Sequence, residues 1–281
     1  MDTRQRLATL LDSAVHTRTA RSLASASREL TGLLLPSLCV LCGDRDGAVC
    51  PECAPGLAAE TRQPFRAERG AAALPLRFIE QGPAPVPVVA AARYGAEASR
   101  ALLAFKDHGR SSVARFLRPA VYRALEAVPE LLGLTGPFTL VPVPGSAAGF
   151  RRRGIDPVEE LLRGPLPRGW MAARGWVSHR RPSPPAVVRQ RTSHAGTGSR
   201  QRRSVARDRF RPTHRLTAGF VGSARHERPT VVVFDDVMTT GSTLSAMWRA
   251  LELGGISPAG AVVLASVAPP GAVGDEGLNS G

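Results

Sequence analysis

Thr230-Val-Val-Val-Phe-Asp-Asp-Val-Met-Thr-Thr-Gly-Ser-Thr243 is the stretch that decides how this chain folds. Its opening apolar run, 230–234, has the unbroken hydrophobicity of a strand covered on both faces, as in a parallel sheet. Two adjacent carboxylates follow, then a loop of hydroxyls with one glycine, then a helical pattern over 242–253. A helix start presents unpaired N–H groups and the positive end of the macrodipole, which together favour a phosphate. Gly241 lets the backbone approach such a group closely, and Thr239, Thr240, Ser242 and Thr243 add hydroxyl donors. Asp235 and Asp236 repel a phosphate. They suit a diol, which donates two hydrogen bonds to one carboxylate, or a divalent cation. A phosphate one sugar away from carboxylates describes a ribose 5-phosphate group. Dinucleotide and Walker loops are excluded, because neither G-x-G-x-x-G nor G-K-[ST] accompanies the strand.

Outward from this segment, short β-rich runs alternate with helical patterns. The runs are 86–94, 138–144, 230–234 and 261–267; helices are expected over 97–109, 111–128 and 242–253. Alternation of this kind predicts an α/β fold, a parallel twisted sheet flanked by helices, with ligands at the carboxyl ends of its strands. The expected organisation is an N-terminal helical lead over 1–35, a zinc knuckle over 36–60, a linker over 61–85, the α/β domain over 86–267 and a disordered tail over 268–281. The linker reading rests on the prolines of this stretch and the lack of sustained periodicity, and the tail reading on a polar, Gly-rich composition.

The chain of 281 residues is long enough for a sizeable core, and 43% hydrophobic against 21% charged residues excludes global disorder. No apolar run reaches membrane-spanning length and the N-terminus lacks a signal-peptide pattern, so a soluble cytoplasmic protein without membrane insertion is expected. The net charge of +14 is concentrated: residues 149–228 hold 19 arginines against five acidic residues, and the rest is neutral. A cationic stretch of this kind points to a polyanion, either phosphate esters or a nucleic-acid backbone, or to a merely solvated insertion.

All four cysteines fall within fifteen residues, as Cys39-Val-Leu-Cys42 and Cys50-Pro-Glu-Cys53. Two such knuckles place four thiolates at the corners of a tetrahedron, the pattern of a closed structural Zn²⁺ site. Disulfides are disfavoured in a cytoplasmic chain, and a redox dithiol needs only one pair.

At Val-Phe-Asp-Asp-Val-Met-Thr-Thr-Gly-Ser-Thr the sequence resembles the phosphoribosyl pyrophosphate (PRPP) motif of type I phosphoribosyltransferases. The order of four cysteines, Leu103-Ala-Phe-Lys-Asp-His-Gly109, Leu140-Val-Pro-Val-Pro144, Arg151-Arg-Arg-Gly154 and the Asp-Asp-Val motif resembles the ComF/GntX family, associated with competence and DNA uptake. The likeness spans roughly 36–267. It departs at Ile155-Asp156-Pro157, where a polar pair such as Asn-Gln is usual, and at His194, where Gln is usual. The resemblance implies PRPP bound with Mg²⁺ by Asp235, Asp236, Thr239, Thr240, Gly241, Ser242 and Thr243. Gly145 and Ser146 would line the pyrophosphate, Arg151, Arg152 and Arg153 would lie on a mobile loop closing over it, and Lys106 would face the phosphates or solvent. His108 and His194 read as surface residues. The implied reaction is displacement at C1′ with loss of pyrophosphate to an acceptor that the sequence does not disclose. Mg²⁺ and arginines would neutralise the leaving group, making Asp235, Asp236 and the three arginines the catalytic candidates. The alternative is a non-catalytic nucleic-acid-binding competence protein that keeps the fold and engages single-stranded DNA or a competence helicase.

Overall fold

A computed structural model describes residues 38–44, 47–107, 109–180, 209–214, 216 and 230–267. The expected helical lead over 1–35 and tail over 268–281 lie outside the described residues, as do His108 and His194. The chain divides into two compact units that interleave along the sequence. One comprises residues up to 60, 95–119 and 145–163; the other comprises 61–94, 120–144 and residues from 164 onward. The four-cysteine segment therefore shares a unit with two later stretches, a division that differs from the contiguous segments expected.

In the first unit, helix α1 (Ala54–Glu60) follows the cysteines and helix α2 (Ala96–Lys106) buries Ala98, Ala101, Leu102, Ala104 and Phe105. A 3₁₀ turn at Ser111–Val113 leads into α3 (Ala114–Glu126), whose later turns belong to the second unit together with α4 (Val128–Leu132). Helices α5 (Ala147–Arg153) and α6 (Pro157–Leu161) complete the first unit. Arg118 ties α3 to α6: its Nε donates to the Glu160 carbonyl at 2.9 Å, and its Nη2 lies 3.6 Å from the Glu160 carboxylate.

The second unit is built on a six-stranded sheet. Its strands are β1 (Phe65–Arg66), β4 (Val88–Arg93), β5 (Phe138–Pro142), β6 (Trp170–Ala172), β9 (Thr230–Met238) and β10 (Gly260–Ser266). They lie in the order β1-β4-β10-β9-β5-β6, all parallel except β1. The expected strands are present, with helices flanking the sheet. Val232 sits between Gly260 and Leu140, and 231–236 are buried throughout, as pairing on both edges requires. Val231, Val233, Ala261, Val263, Val88 and Ala90 share one buried cluster with Leu244, Met247, Trp248 and Leu251 of α7 (Ser242–Leu253). Those helical positions recur at three-, four- and seven-residue spacing, one stripe laid on one sheet face. Full burial of such side chains stabilises by roughly 1.5–3 kcal/mol each, so the sheet and α7 hold each other in place.

The stretch 61–85, expected as a linker, carries ordered structure. It contains β1 and a hairpin of β2 (Leu76–Ile79) and β3 (Gly82–Pro85), and it buries Ala67, Ala71 and Leu74 in the cluster beneath α7. Strands this short show no readable period, and two of the prolines of this stretch, Pro83 and Pro85, stand in a hairpin edge. A second two-stranded pair, β7 (Val177–His179) with β8 (Phe210–Pro212), was likewise not foreseen.

Strand order creates one distinctive place. From β5 the chain goes outward to β6, whereas from β9 it goes through α7 in the opposite direction to β10. Neighbouring strands whose connections diverge leave a crevice beyond their carboxyl ends, where open α/β sheets take ligands. Here the diverging pair is β5 and β9.

Candidate functional site

Asp235 and Asp236 stand at that divergence. The sequence placed them just past the end of the strand; in the structure β9 continues through Met238, because β10 stays paired with it from Asp235↔Val263 to Met238↔Ser266. Pairing with β5 stops at Pro142↔Phe234, after which the Val143 N–H makes a last bond, 2.8 Å, to the Phe234 carbonyl. Beyond that point, among the described residues, β9 has a strand on one side only. Consecutive strand residues project to opposite faces, so the two carboxylates address different sides of the sheet edge. Each is 6% exposed. Asp235 Oδ1 accepts the N–H of Asp236 at 2.9 Å, and Asp236 Oδ1 accepts that of Val237 at 2.8 Å.

The loop then presents exposed Thr239 and Thr240, buried Gly241, exposed Ser242 and half-buried Thr243. Gly241 occupies the N-cap of α7 and offers no side chain to its first N–H groups; the helix begins with Ser245 N–H donating to the Gly241 carbonyl at 2.9 Å. The reason for glycine is more specific than close approach to a ligand. Its φ is +82°, and an added Cβ would lie 2.7 Å from the Leu74 side chain. Leu74 belongs to the stretch expected as a linker, and the neighbouring Ala73 N–H donates to the Thr240 carbonyl at 2.9 Å. Residues 71–74 thus brace the loop, a role that no local sequence signal discloses. His179 is a second unforeseen neighbour: its Nε2 lies 2.9 Å from the Pro144 carbonyl, just beyond β5, and its ring packs on Phe210 with centroids 4.9 Å apart.

The other expected phosphate ligands belong to the first unit. Arg151, Arg152 and Arg153, expected on a loop, form the last turn of α5, where positive charge complements the helix carbonyl end. Arg151 and Arg152 are exposed, while Arg153 folds back so that a Cβ on Gly149 would lie 2.5 Å from its Nη2. The Ser146 hydroxyl caps its own helix, accepting from Gly149 N–H at 3.0 Å. Gly145 lies beside Asp156, whose carboxylate in turn caps α6 through Val158 and Glu159. Half-buried Lys106 ends α2, and Gly109, three residues on, packs against the Arg153 carbonyl.

The cysteines form the clearest centre. Sγ atoms of Cys39, Cys42, Cys50 and Cys53 all lie within 4.8 Å of one another, the one such cluster among the described residues. Leu41 and Cys50 N–H groups point at Cys39 Sγ from 3.5 and 3.3 Å, and Cys42 and Cys50 sulfurs are 3.7 Å apart. Gly43 and Gly47, at φ +90° and +95°, turn the short connection. Burial works to raise the Cys39 thiol, but the backbone N–H groups of Cys42, Cys50 and Leu41 outweigh it and bring it to about 6. Cys53 rises to about 11 through its contact with Cys50 and through burial. At Cys42 the Asp44 backbone contact lowers the thiol, yet the Asp44 carboxyl, burial and neighbouring sulfurs carry it upward. Four thiols this close cannot all ionise without a cation, and N–H groups aimed at sulfur suit a thiolate. The residues fit a four-sulfur site for a metal ion such as zinc.

This centre is fastened to α2. Gly95, the N-cap of α2, has no side chain, and Glu60 at the end of α1 takes its place, accepting from Glu97 N–H at 3.3 Å and Ala98 N–H at 2.7 Å. Arg100 donates to the Leu41 carbonyl at 3.3 Å and Arg110 to the Leu38 carbonyl at 2.6 Å.

Neither protein-family models nor curated proteins match the chain. No helix among the described residues is long and apolar enough to cross a membrane.

Proposed function

We propose that the chain is a ComF-like protein with a type I phosphoribosyltransferase domain, binding PRPP at the carboxyl end of β9. The observation that carries this reading is the coincidence of the Asp235-to-Thr243 segment with the point where the β5 and β9 connections diverge. The first turn of α7 takes the 5-phosphate through its N–H groups and the hydroxyls of Thr239, Thr240, Ser242 and Thr243. Asp235 and Asp236 take the ribose hydroxyls or a Mg²⁺ ion that arrives with PRPP. Because they face opposite sides of the strand edge, one carboxylate meets the diol and the other orients the loop or the ion. Bound Mg²⁺ would neutralise charge on the departing pyrophosphate. Catalysis by positioning and charge needs no protein nucleophile. Titration calorimetry with PRPP and Mg²⁺ on the metal-loaded full chain tests binding. A screen for pyrophosphate release with nucleobases and amines then tests turnover; binding without release would make PRPP a ligand only. Replacing Arg151, Arg152 and Arg153 by Ala should weaken PRPP binding if the implied pyrophosphate role is correct.

The excess charge of residues 149–228 favours a second reading, a non-catalytic nucleic-acid-binding protein that keeps this fold, with single-stranded DNA or a competence helicase as partner. Substituting Arg200, Arg202 and Arg203 should then lower DNA affinity and flatten its salt dependence by about 0.7 to 0.9 log unit per lost contact, leaving PRPP binding unchanged.

A further inference from the structure

The β2–β3 hairpin has two edges of opposite character. Ile79 pairs with Gly82 across a two-residue turn, so ladder alternation makes Ile79↔Gly82 and Arg77↔Ala84 the hydrogen-bonded pairs, with Phe78↔Pro83 and Leu76↔Pro85 between them. The bond from Val86 N–H to the Pro75 carbonyl, 2.9 Å, continues the same alternation. Residues of the non-bonded pairs turn their backbone groups outward. On β3 those residues are Pro83 and Pro85, which have no N–H, so that edge offers no donor. On β2 they are Leu76 and Phe78, whose N–H and C=O groups face away from the hairpin. Among the described residues no third strand pairs there. Leu76 is 64% and Phe78 88% exposed. One edge is blunted in the way proteins prevent strand addition, and the other is left open beneath large apolar side chains.

We propose that the β2 edge pairs antiparallel with the β2 edge of a second copy of this chain, joining two hairpins into one four-stranded sheet. The edge is self-complementary: a two-fold axis at Phe78 makes Phe78 exchange both backbone bonds with its counterpart and brings Leu76 beside the turn that begins at Glu80 of the other copy. Arg77 then faces Ile79. The alternative register, centred on Arg77, sets two arginines directly opposite and is disfavoured. In the Phe78 register the two phenylalanines and two leucines gather on one face. The hairpin itself adds no net charge to the contact, since it carries one Arg77 against one Glu80. Strand addition is favoured over nucleic acid, since the open feature is a row of backbone donors and acceptors next to a single aromatic ring.

Sedimentation velocity on the metal-loaded full chain, over a concentration series, tests this. The contact is small, so half-dimerisation is expected at roughly 100 µM. Phe78→Glu and Phe78→Lys, both at an exposed position, should each be monomeric there with unchanged melting, while an equimolar mixture of the two should recover the dimer. That rescue reads the register directly, because only a 78-to-78 contact places the opposite charges together. A monomeric parent at several times that concentration would overturn the proposal. So would a dimer that survives either charge, a mixture without rescue, or a Phe78 effect confined to oligothymidylate binding.

Discussion

The four-cysteine segment and the β9–α7 segment are held together by different physics. Between Cys39 and Glu60 the buried apolar side chains are small in number, Leu41, Ala48, Val49 and Leu57 among them, and four sulfurs supply the convergence. Around β9 the convergence comes from apolar packing: Val231, Val233, Ala261 and Val263 under Leu244, Met247, Trp248 and Leu251. A region whose convergence rests on four sulfurs, able to share one metal ion, should fail as a whole when one ligand goes. A region organised by many apolar contacts absorbs a polar exchange at its edge and changes only what it binds.

The largest expected effect breaks the first region alone. Metal binding by such sites contributes on the order of 10 kcal/mol, comparable with a domain's net stability. Cys50→Ser should abolish stoichiometric metal and strip amide-exchange protection from 39–60, while the sheet strands keep theirs. Loss of protection in β9 as well would make the contrast wrong, and a parent without bound metal would remove its basis. Acid should act in the same direction. Cys53 and Cys42 hold their protons above the ordinary thiol value, so metal uptake must displace them. Metal affinity therefore rises with pH and falls as pH drops, by about one log unit per pH unit for each proton released, which a chelator competition at several pH values would measure.

Next in size is a change of function without a change of fold. Asp235→Asn with Asp236→Asn keeps side-chain shape and the bonds to the following N–H groups, so the melting curve should move little. PRPP affinity should fall tenfold or more, from roughly 1.5–3 kcal/mol per charge-assisted hydrogen bond. Unchanged PRPP binding would sink the assignment of this segment.

Gly241→Ala probes how closely the loop is braced. The left-handed φ and the 2.7 Å approach to Leu74 should together cost about 1–3 kcal/mol. Repeating the change with Leu74→Ala should recover the steric part and leave the conformational part, a coupling that a double-mutant cycle on thermal unfolding would isolate. The smallest effect is at the join between the cysteine centre and α2. Glu60→Ala removes the cap on Glu97 and Ala98 N–H and should cost about 1 kcal/mol, seen as faster exchange in the first turn of α2 with metal content intact.

Much of the fold was legible because its signals are local. The apolar run 230–234 demands burial on both faces, and the apolar spacing of Leu244, Met247, Trp248 and Leu251 marks the helix that follows. Cys39, Cys42, Cys50 and Cys53 announce their site by identity and spacing, since thiolate chemistry depends on the residue itself. The hairpin at 76–85 was not legible: strands of four residues carry no measurable period, and prolines read alike in a linker and on a blunted edge.

From the amino-acid sequence alone followed the alternation of strands and helices, the clustering of positive charge in 149–228 and the chemistry of each candidate ligand. Tertiary structure alone decided the order β1-β4-β10-β9-β5-β6, and with it the divergence of the β5 and β9 connections at which Asp235 and Asp236 stand. It also decided that Leu74 explains Gly241, that Glu60 caps a helix 37 residues away, and that Arg151 to Arg153 close a helix. The physical reason is range. Periodicity, thiolate identity and helix capping by neighbours act within a few residues, whereas strand order and borrowed caps depend on which distant segments bury the same apolar face.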